Sequence, residues 1–455
     1  MKRTELEALD KASLVDLAEK QAARIADLEG RLAGIDAQLE ELERRAMRGA
    51  APFARPPEKR SKACKRPGRK GGHDGFFRVR PSEEDVARRI DVPLEQCSAC
   101  GAALDPTTDV TIEQTLLEIP PITPEIIRLV THRNHCCGCG ARSQSTHPLQ
   151  ISRAQGAAST HLGPRALAVA ANLNKGLGLT MRKTCLVLKD LLGLDLSPGG
   201  LAQALARLAG RLKSSEQALT KRVMAEPVLH TDETSWYVGE PGASLWVITN
   251  AAGTCYRIVP SRTKAAAHDL LGAYQGVLVS DCLNIYDDLT PLQHKCYAHH
   301  LKKIGEALAG PAIGSEYLTD LRGLMQGAMA LKEAIPGLPP ERVAAMRTAL
   351  EINAERLLGP SRAGVEERIR LRIAKQRDHL FTFLDHSDVH ATNNLAERQL
   401  RPAVISRKLS CGNKTEAGAR TWETLTSLAV SSRQTGTSFI ELVANALTAH
   451  TEPTR

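Results

Sequence analysis

Three acidic residues stand at positions from which they could do chemistry together. Asp232 and Asp281 each end a short apolar run, VLHT and GVLVS, and Glu397 lies in the helical segment ATNNLAERQLRP. Carboxylates at the ends of neighbouring strands can converge with a third that approaches on a helix. Such a cluster binds two hard divalent cations, which activate an attacking hydroxyl and stabilise a leaving oxygen in phosphodiester cleavage.

Each of these acids also has an ordinary structural explanation. Both aspartates could cap the structures that follow their strands. Glu397 could close a capping box begun by Asn394, or it could pair with Arg401 one helical turn later. Spacing alone therefore leaves catalysis and capping about equally favoured.

Two pairs of cysteines have the spacing of metal ligands. Cys97–Cys100 and Cys136–Cys139 are C-x-x-C pairs, and each is followed by glycine. Thiolates at this spacing turn back on one ion, and two pairs complete the tetrahedral four-sulfur site of a structural Zn²⁺. The runs VTIEQTLLEI and EIIRLVTHRNHC predict two strands, and hence an extended zinc ribbon over 82–152. Cys137 could replace Cys136, and unligated buried thiols are the alternative.

Positive charge is concentrated in one short segment. The chain has 60 Lys and Arg against 51 Asp and Glu, a formal net charge of +9. Ten basic residues and two acids lie between Arg55 and Arg80, a local excess of eight (ten minus two). The glycines of KRPGRKGGHDG let the backbone approach a groove, so we expect Arg66, Arg69 and Lys70 to contact phosphates or a minor groove. A solvated linker is the alternative, and both can hold at once.

Periodicity indicates the elements that must position these residues. Apolar residues from Leu14 to Leu42 alternate spacings of four and three, which predicts a coiled coil and hence self-association. A single amphipathic helix is the alternative. Residues 160–224 are helical, and they fit a DNA-binding helix-turn-helix as well as plain helical packing. From Pro227 short apolar runs alternate with helices, which is an α/β order.

Composition excludes some classes of protein. The N-terminal MKRTELEALD has no apolar segment, and no run approaches about 18 apolar residues, so we expect neither export nor a membrane span. The 11 cysteines then indicate thiols and metal ligands in the reducing cytoplasm. Aromatic residues are only 3% of the chain, so base stacking is not a widespread binding device.

Several segments resemble the motifs of the insertion sequence 66 family of transposases, in the right order from about Lys65 to Leu442. These segments are GRKGGHDG, HLGPRALAVAANLNKGLGLTMRKT, LLGLDLSPGGLAQAL, LHTDETSWYV, VLVSDCLNIYD, QHKCYAHHLKKI and NNLAERQLRPAVISRK. The resemblance implies an Asp-Asp-Glu catalytic domain of ribonuclease H-like fold, with a helical insertion between the second Asp and the Glu. It also implies a zinc-binding ribbon and a leucine-zipper-like N-terminus.

The resemblance also assigns roles to individual residues. The family's catalytic acids fall on Asp232, Asp281 and Glu397, and Cys296 and His299 match a C-x-x-H element that we expect to be structural or DNA-orienting. The basic residues that flank the glutamate would face the phosphate backbone. They are Arg398, Arg401, Arg407 and Lys408.

Two positions depart from the family pattern. Thr392 replaces an Asp that often precedes the paired asparagines, although a threonine can still cap the helix. Cys282 and Asn284 stand where a Gly and a small residue are more usual. Neither change removes a catalytic acid.

The sequence therefore predicts a multidomain α/β transposase that uses Mg²⁺ or Mn²⁺ at the acids and Zn²⁺ in the ribbon. Its partners would be DNA at the element ends and target, a second copy bound through the coiled coil, and accessory proteins of the same element. The alternatives are a DNA-binding protein without catalysis and a ribonuclease H-like nuclease without strand transfer. The predicted segments are a coiled coil over 5–48, a basic linker over 49–81, the zinc ribbon over 82–152, a helical region over 160–224, the catalytic domain over 225–410 with its insertion at about 312–385, and C-terminal helices over 411–455.

Overall fold

A computed structural model of the protein describes residues 79–105, 110–151 and 160–449. The predicted coiled coil, and Arg66, Arg69 and Lys70 of the basic linker, lie outside the described residues. Across the three described ranges, every helix is too short or too polar to cross a membrane. The chain divides between Pro120 and Pro121 into two compact units.

The first unit, where it is described, contains little regular structure. A 3-10 turn over Glu83–Asp85 follows Ser82, whose hydroxyl and N–H donate to the Asp85 carboxylate at 2.7 and 3.1 Å. An isolated β-bridge between Gln96 and Ala103 encloses the turn that carries Cys97 and Cys100.

The two long strands predicted near the cysteines are largely wrong. Residues 110–132 form no strand, and β1 (Arg133–His135) pairs with β2 (Arg142–Gln144) in a short antiparallel hairpin. The apolar side chains of the predicted strands are exposed, with Ile112 at 87% and Ile126 at 96%. β-branched residues favour a strand only where they pack on a half-buried surface, which the described residues do not provide here.

The second unit continues with a helical region. Its helices are α1 (Pro164–Ala171), α2 (Met181–Leu192), α3 (Pro198–Arg211) and α4 (Lys213–Met224). Gly193 ends α2 in the left-handed conformation with φ of 64°, as its position after the apolar period predicts. The Ser197 hydroxyl accepts the Gly200 N–H at 3.1 Å and caps α3, which confirms the predicted start of that helix.

A mixed five-stranded sheet follows these helices. It contains β3 (Val228–Val238), β4 (Glu240–Asn250), β5 (Gly253–Val259), β6 (Val277–Ser280) and β7 (Leu292–Lys295), with α5 (Lys264–Leu271) between β5 and β6. The strand order is β5-β4-β3-β6-β7. β3, β4 and β5 pair antiparallel, whereas β6 and β7 join in parallel on the other side of β3. This arrangement confirms the predicted α/β order.

The rest of the second unit is helical. Its helices are α6 (Tyr297–Leu308), α7 (Glu316–Ala334), α8 (Pro340–Leu358), α9 (Gly364–Ala374), α10 (Thr382–Asp385), α11 (Asn394–Ser410), α12 (Glu416–Gln434) and α13 (Phe439–Ala449). The helix α11 packs on β3 and β4 through a cluster that includes Trp236, Val247, Ala396 and Leu400. The burial of this apolar face fixes α11, and Glu397 with it, against the central strand.

The helix α12 covers the edge strand β5 with polar side chains. The Ser431 hydroxyl accepts the Thr254 N–H at 2.9 Å, and the Ser427 hydroxyl accepts the Tyr256 N–H at 2.9 Å. The Glu423 carboxylate accepts the Ile258 N–H in the same row. Side chains four residues apart on a helix face therefore match alternate amides of a strand, which satisfies donors that an edge strand leaves unpaired.

We expect Ser427→Ala to lower the free energy of unfolding by about 1–3 kcal/mol, because the buried Tyr256 N–H loses its acceptor. The measurement is chemical denaturation followed by tryptophan fluorescence. Thr426→Val on the same helix is the control, since the buried Thr426 hydroxyl has no hydrogen-bond partner within the described chain. Equal destabilisation by the two substitutions would contradict this role for Ser427.

Candidate active site

The sheet topology brings two of the predicted acids together. β3 and β6 pair in parallel with His230 opposite Val279, and Asp232 and Asp281 each stand two residues further along. The aspartates therefore occupy equivalent register positions on adjacent strands. Asp281 directly follows β6, as predicted, but Asp232 lies inside β3, which continues to Val238, so the predicted strand end at Asp232 is wrong. Carboxylate oxygens of Asp232, Asp281 and Glu233 all lie within 4.8 Å of one another.

Glu233 belongs to this cluster, and the sequence analysis missed it. Its side chain is buried, the Arg262 Nε donates to one carboxylate oxygen at 2.8 Å, and the Tyr286 hydroxyl donates to the other. Burial raises the pKa of Glu233, and the bonds from Tyr286 and Arg262 oppose that rise. Consecutive residues of a strand normally face opposite sides, so periodicity argued against a second acid next to Asp232.

The surroundings of Asp232 strongly raise the pKa of its carboxyl group. Burial raises its pKa from 3.8 to about 8, and the negative charges of Glu233, Asp281 and Glu397 add to the rise. One bond opposes it, because the Glu233 N–H donates to the Asp232 carboxylate at 2.8 Å. Near neutral pH this carboxylate therefore requires either a proton or a cation.

Asp281 combines two of the roles that the sequence left open. Its Oδ1 accepts the Leu283 N–H at 2.9 Å, so it caps the turn that follows β6. It also contributes an oxygen to the carboxylate cluster. Capping and a place among possible metal ligands are therefore compatible at this residue.

Glu397 lies beside the aspartates but belongs to a neighbouring group. Its carboxylate, the Cys296 Sγ and a ring nitrogen of His299 lie within 4.8 Å of one another. Its charge is close enough to Asp232 to raise the pKa of that residue. The possible metal ligands thus form two neighbouring groups. Asp232 and Asp281 belong to the group with Glu233, and Glu397 belongs to the group with Cys296 and His299.

Asn393 connects the helix of Glu397 to the strand of Asp232. Its side-chain amide donates to the Thr231 carbonyl at 2.7 Å, and its Oδ1 lies 3.1 Å from the His230 Nδ1. Because that oxygen can only accept, the His230 Nδ1 must carry the proton. Burial lowers the pKa of His230 to about 4, which keeps the ring neutral in this tautomer.

The start of α11 differs from both sequence-based expectations. Asn393 precedes the helix and Asn394 is its first residue, so Thr392 does not cap it and an Asn394–Glu397 capping box does not form. The physical reason is that the Asn393 side chain is drawn across to β3 and away from the helix amides. Local pattern does not predict this contact, because His230 lies 163 residues away in the chain.

The Cys296 thiol is enclosed by backbone donors. Cys296 directly precedes α6 and is fully buried. Its Sγ accepts the Asn393 N–H at 3.2 Å. Burial raises the pKa of this thiol, whereas the amides of Asn393, His299 and Ala298 act to lower it.

The predicted phosphate-binding residues of α11 divide into two groups. Arg398, Arg401 and Lys408 are exposed. Arg407 instead donates to the Thr234 and Ser235 hydroxyls at 2.9 and 2.8 Å, which ties α11 to β3. The four predicted residues therefore do not form one uniform basic face.

A cavity with several basic side chains has Cys282, the residue after Asp281, in its lining, and the sequence analysis did not find it. Its volume is about 620 Å³, and it lies between α6 and α9. Basic side chains and the residue after Asp281 line it: Lys303, Arg368, Arg372, Lys375 and Cys282. Arg368, Arg372 and Lys375 lie in one basic stretch of α9 and the residues just after it, whereas Lys303 and Cys282 come from distant segments, so their convergence could not be predicted from local pattern.

Each cysteine pair forms the same type of turn. The Gly101 N–H donates to the Cys97 carbonyl at 2.8 Å, and the Gly140 N–H donates to the Cys136 carbonyl at 2.8 Å. Both glycines have positive φ, 72° and 70°, which residues with a side chain rarely adopt. Backbone amides, first those of Ala99 and Cys139 respectively, lower the pKa of the Cys97 and Cys136 thiols.

Comparison with known proteins identifies the family. A family model described as "Transposase IS66 family" matches residues 159–421, more than half of the chain. The uncharacterized protein y4qI of Sinorhizobium fredii (strain NBRC 101917 / NGR234) is 25% identical over 303 residues, 59% of this chain and 55% of the relative. The chain thus spans about half the length of that relative. The matched residues contain the carboxylate cluster, Asn393 and Glu397, and the chain belongs to the IS66 family of transposases.

Proposed function

We propose that the protein is an Asp-Asp-Glu DNA transposase that cleaves phosphodiester bonds and transfers strands with Asp232, Asp281 and Glu397 as metal ligands. The observation that carries the proposal is the convergence of the Asp232 and Asp281 carboxylates within 4.8 Å. Family membership supports DNA transposition as the process. The substrate would be DNA at the element ends and target.

The residues of the cluster fit a hard divalent cation such as Mg²⁺ or Mn²⁺. All the donors are carboxylate oxygens, and the raised pKa of Asp232 shows that added positive charge would be favourable. When bound, two such ions would activate the attacking hydroxyl and stabilise the leaving oxygen. The protein would contribute by holding the carboxylate side chains in fixed positions.

The side chains around the cluster support that positioning. Asp232 would give up its proton as the cation binds, and the nucleophile in strand transfer would be a freed DNA 3′ hydroxyl. Glu233 is fixed by Arg262 and Tyr286, so it adds negative charge without competing for position. Asn393 holds the helix of Glu397 against β3.

The topology supports a ribonuclease H-like catalytic core. Its first aspartate lies on the central strand of the order β5-β4-β3-β6-β7, and its second follows the adjacent parallel strand β6. The helices α7 to α10 separate the second aspartate from Glu397. That separation is consistent with the helical insertion at about 312–385 that the resemblance implies.

We also propose DNA contacts and self-association outside the cluster. The exposed Arg398, Arg401 and Lys408 would bind phosphates. Arg66, Arg69 and Lys70 would act as a basic arm, and the coiled coil would join two copies. Accessory proteins of the same element would complete the assembly.

The two cysteine turns would hold one structural Zn²⁺ through Cys97, Cys100, Cys136 and Cys139. Support comes from the amides that lower the pKa of the Cys97 and Cys136 thiols, since a lowered pKa favours the thiolate that zinc binds. Cys136, not Cys137, makes the turn hydrogen bond with Gly140. Cys137 is therefore left out of the proposed ligand set.

The acids provide the decisive test. Asp232→Asn, Asp281→Asn and Glu397→Gln should each lower cleavage of labelled element-end DNA by several orders of magnitude while end binding is retained, because metal and nucleophile are lost together. Asp288→Asn is the control, since it removes a carboxylate whose side chain is 90% exposed. Full cleavage by any acid variant would remove that residue from the proposal, and cleavage without joined products would favour the nuclease alternative.

The raised pKa of Asp232 predicts how stability depends on pH. Without metal, the folded protein holds this proton up to a pH of about 8, whereas the unfolded chain releases it near 3.8. Stability contributed by the protonated form is therefore present at low pH and is lost as the pH rises through this window. We expect Asp232→Asn, which cannot ionise, to gain melting temperature over the wild type progressively across it.

Mg²⁺ should remove this difference by replacing the proton. Added Mg²⁺ should raise the melting temperature of the wild type more at about pH 8 than at about pH 5, and it should affect Asp232→Asn less at either pH. Thermal unfolding over a pH series, with and without Mg²⁺, makes the comparison. Parallel melting curves for the two proteins at every pH would show that Asp232 is not protonated as expected.

The zinc proposal is tested by metal content. Cys97→Ser should lose about one zinc ion per chain, and the turn around it should become sensitive to proteolysis, because metal-binding energy stabilises so small a unit. Cys137→Ser is the matched control and should keep the wild-type content. Unchanged zinc in purified Cys97→Ser would place the zinc elsewhere.

A further inference from the structure

Glu397 has two sets of neighbours with different chemistry. On one side is the all-oxygen cluster of Asp232 and Asp281. On the other are the Cys296 thiol and the His299 imidazole, whose ligand atoms lie within 4.8 Å of each other and of the Glu397 carboxylate. Thiolate and imidazole select Zn²⁺ and similar soft or borderline ions, whereas carboxylates alone suit Mg²⁺ and Mn²⁺.

The geometry of the second set is close to that of a bound ion. A tetrahedral Zn²⁺ with bonds of about 2.0–2.3 Å keeps its ligand atoms roughly 3.3–3.8 Å apart. Rotation of the Glu397 and His299 side chains can supply the remaining approach. Both side chains are half-buried, and three protein ligands would leave the fourth position to water.

Two of the groups have unsatisfied requirements that a cation would meet. The His299 Nδ1 is buried and has no hydrogen-bond partner among the described residues, although buried polar atoms are nearly always paired. The Cys296 Sγ is fully buried, faces three backbone amides and stands near the Glu397 charge. Burial raises the pKa of this thiol, so a bound cation would displace its proton, and the amide donors would then stabilise the thiolate.

We propose that Cys296, His299 and Glu397 form a binding site for Zn²⁺ or another thiophilic divalent cation, and that its occupation withholds Glu397 from the aspartates. An ion bound to Cys296 and His299 would draw the Glu397 carboxylate toward them and away from Asp232 and Asp281. Zinc would therefore inhibit by capturing Glu397, without displacing Mg²⁺ from Asp232 and Asp281. The binding site stands by itself, whereas the inhibition rests on the proposed transposase function.

Cobalt titration of the full-length protein tests the site directly, because Co²⁺ replaces zinc and gives a thiolate charge-transfer absorption band. The wild type should bind one more cobalt ion per chain than Cys296→Ser, with the corresponding loss of absorption. Glu397→Gln should weaken this binding at least about tenfold, the loss that even outer-sphere changes produce. The control is Cys282→Ser, whose Sγ lies 3.2 Å from the His300 Nε2 and contacts Cys296 only at its backbone carbonyl, 3.8 Å away.

A second variant guards against a folding defect, since Cys296 is fully buried. His299→Ala removes a half-buried side chain and should lose the same cobalt ion while circular dichroism stays unchanged. The site would be overturned if Cys296→Ser and His299→Ala both bound as many cobalt ions per chain as the wild type. Loss of the ion in Cys282→Ser with retention in Cys296→Ser would also overturn it.

The inhibitory role is tested by adding zinc to Mg²⁺-supported DNA cleavage. Each rate is expressed relative to the same protein without added zinc. Zinc should inhibit the wild type, and Cys296→Ser should need at least about tenfold more zinc for the same effect. Equal sensitivity would overturn the inhibition, whereas a protein that cleaves no DNA with any metal would refute the transposase function and leave the cobalt result to decide the site.

Discussion

The repulsion among three neighbouring carboxylates, one buried and two half-buried, is the constraint around which the described part of the second unit is arranged. Asp232, Glu233 and Asp281 would separate or take up protons if nothing opposed their charges. The parallel register of β3 and β6 forces the two aspartates together. Arg262 and Tyr286 hold Glu233 in place through hydrogen bonds. Asp232 has no basic hydrogen-bond partner of that kind among the described residues. Burial raises its pKa, and the neighbouring carboxylate charges add to the rise.

The surrounding elements resist this strain by fixing the strands that carry the acids. The Ser427 and Ser431 hydroxyls of α12 pair with the outer edge of β5. On the central strand, Arg407 and the Trp236 cluster fasten α11 to β3. Apolar packing and hydrogen bonds together hold these strands and helices rigidly. A metal site requires such rigidity, because its ligand side chains must lie near their metal-bound positions before the ion binds.

The sequence predicted those features that depend on local pattern. Apolar runs marked β3 to β7, and the end of β6 marked Asp281, because burial and strand termination are encoded nearby. Asp232 was found from the end of an apolar run, although β3 continues past it to Val238. Glu233 was missed because its orientation departs from simple alternation. The role of Asn393 was missed because it depends on His230, which is distant in the chain. Strands over 110–132 were wrongly expected, since β-propensity requires a packing partner that the described chain does not supply.

Asn393 connects the two ligand sets around Glu397. Its side chain bonds β3 through the Thr231 carbonyl, while its N–H bonds the Cys296 Sγ. Asn393, directly before α11, therefore touches both the strand of Asp232 and the thiol before α6. If Cys296 and Glu397 bind an ion as proposed, Asn393 would connect that ion to the strand of Asp232, because the same residue bonds both the thiol and β3.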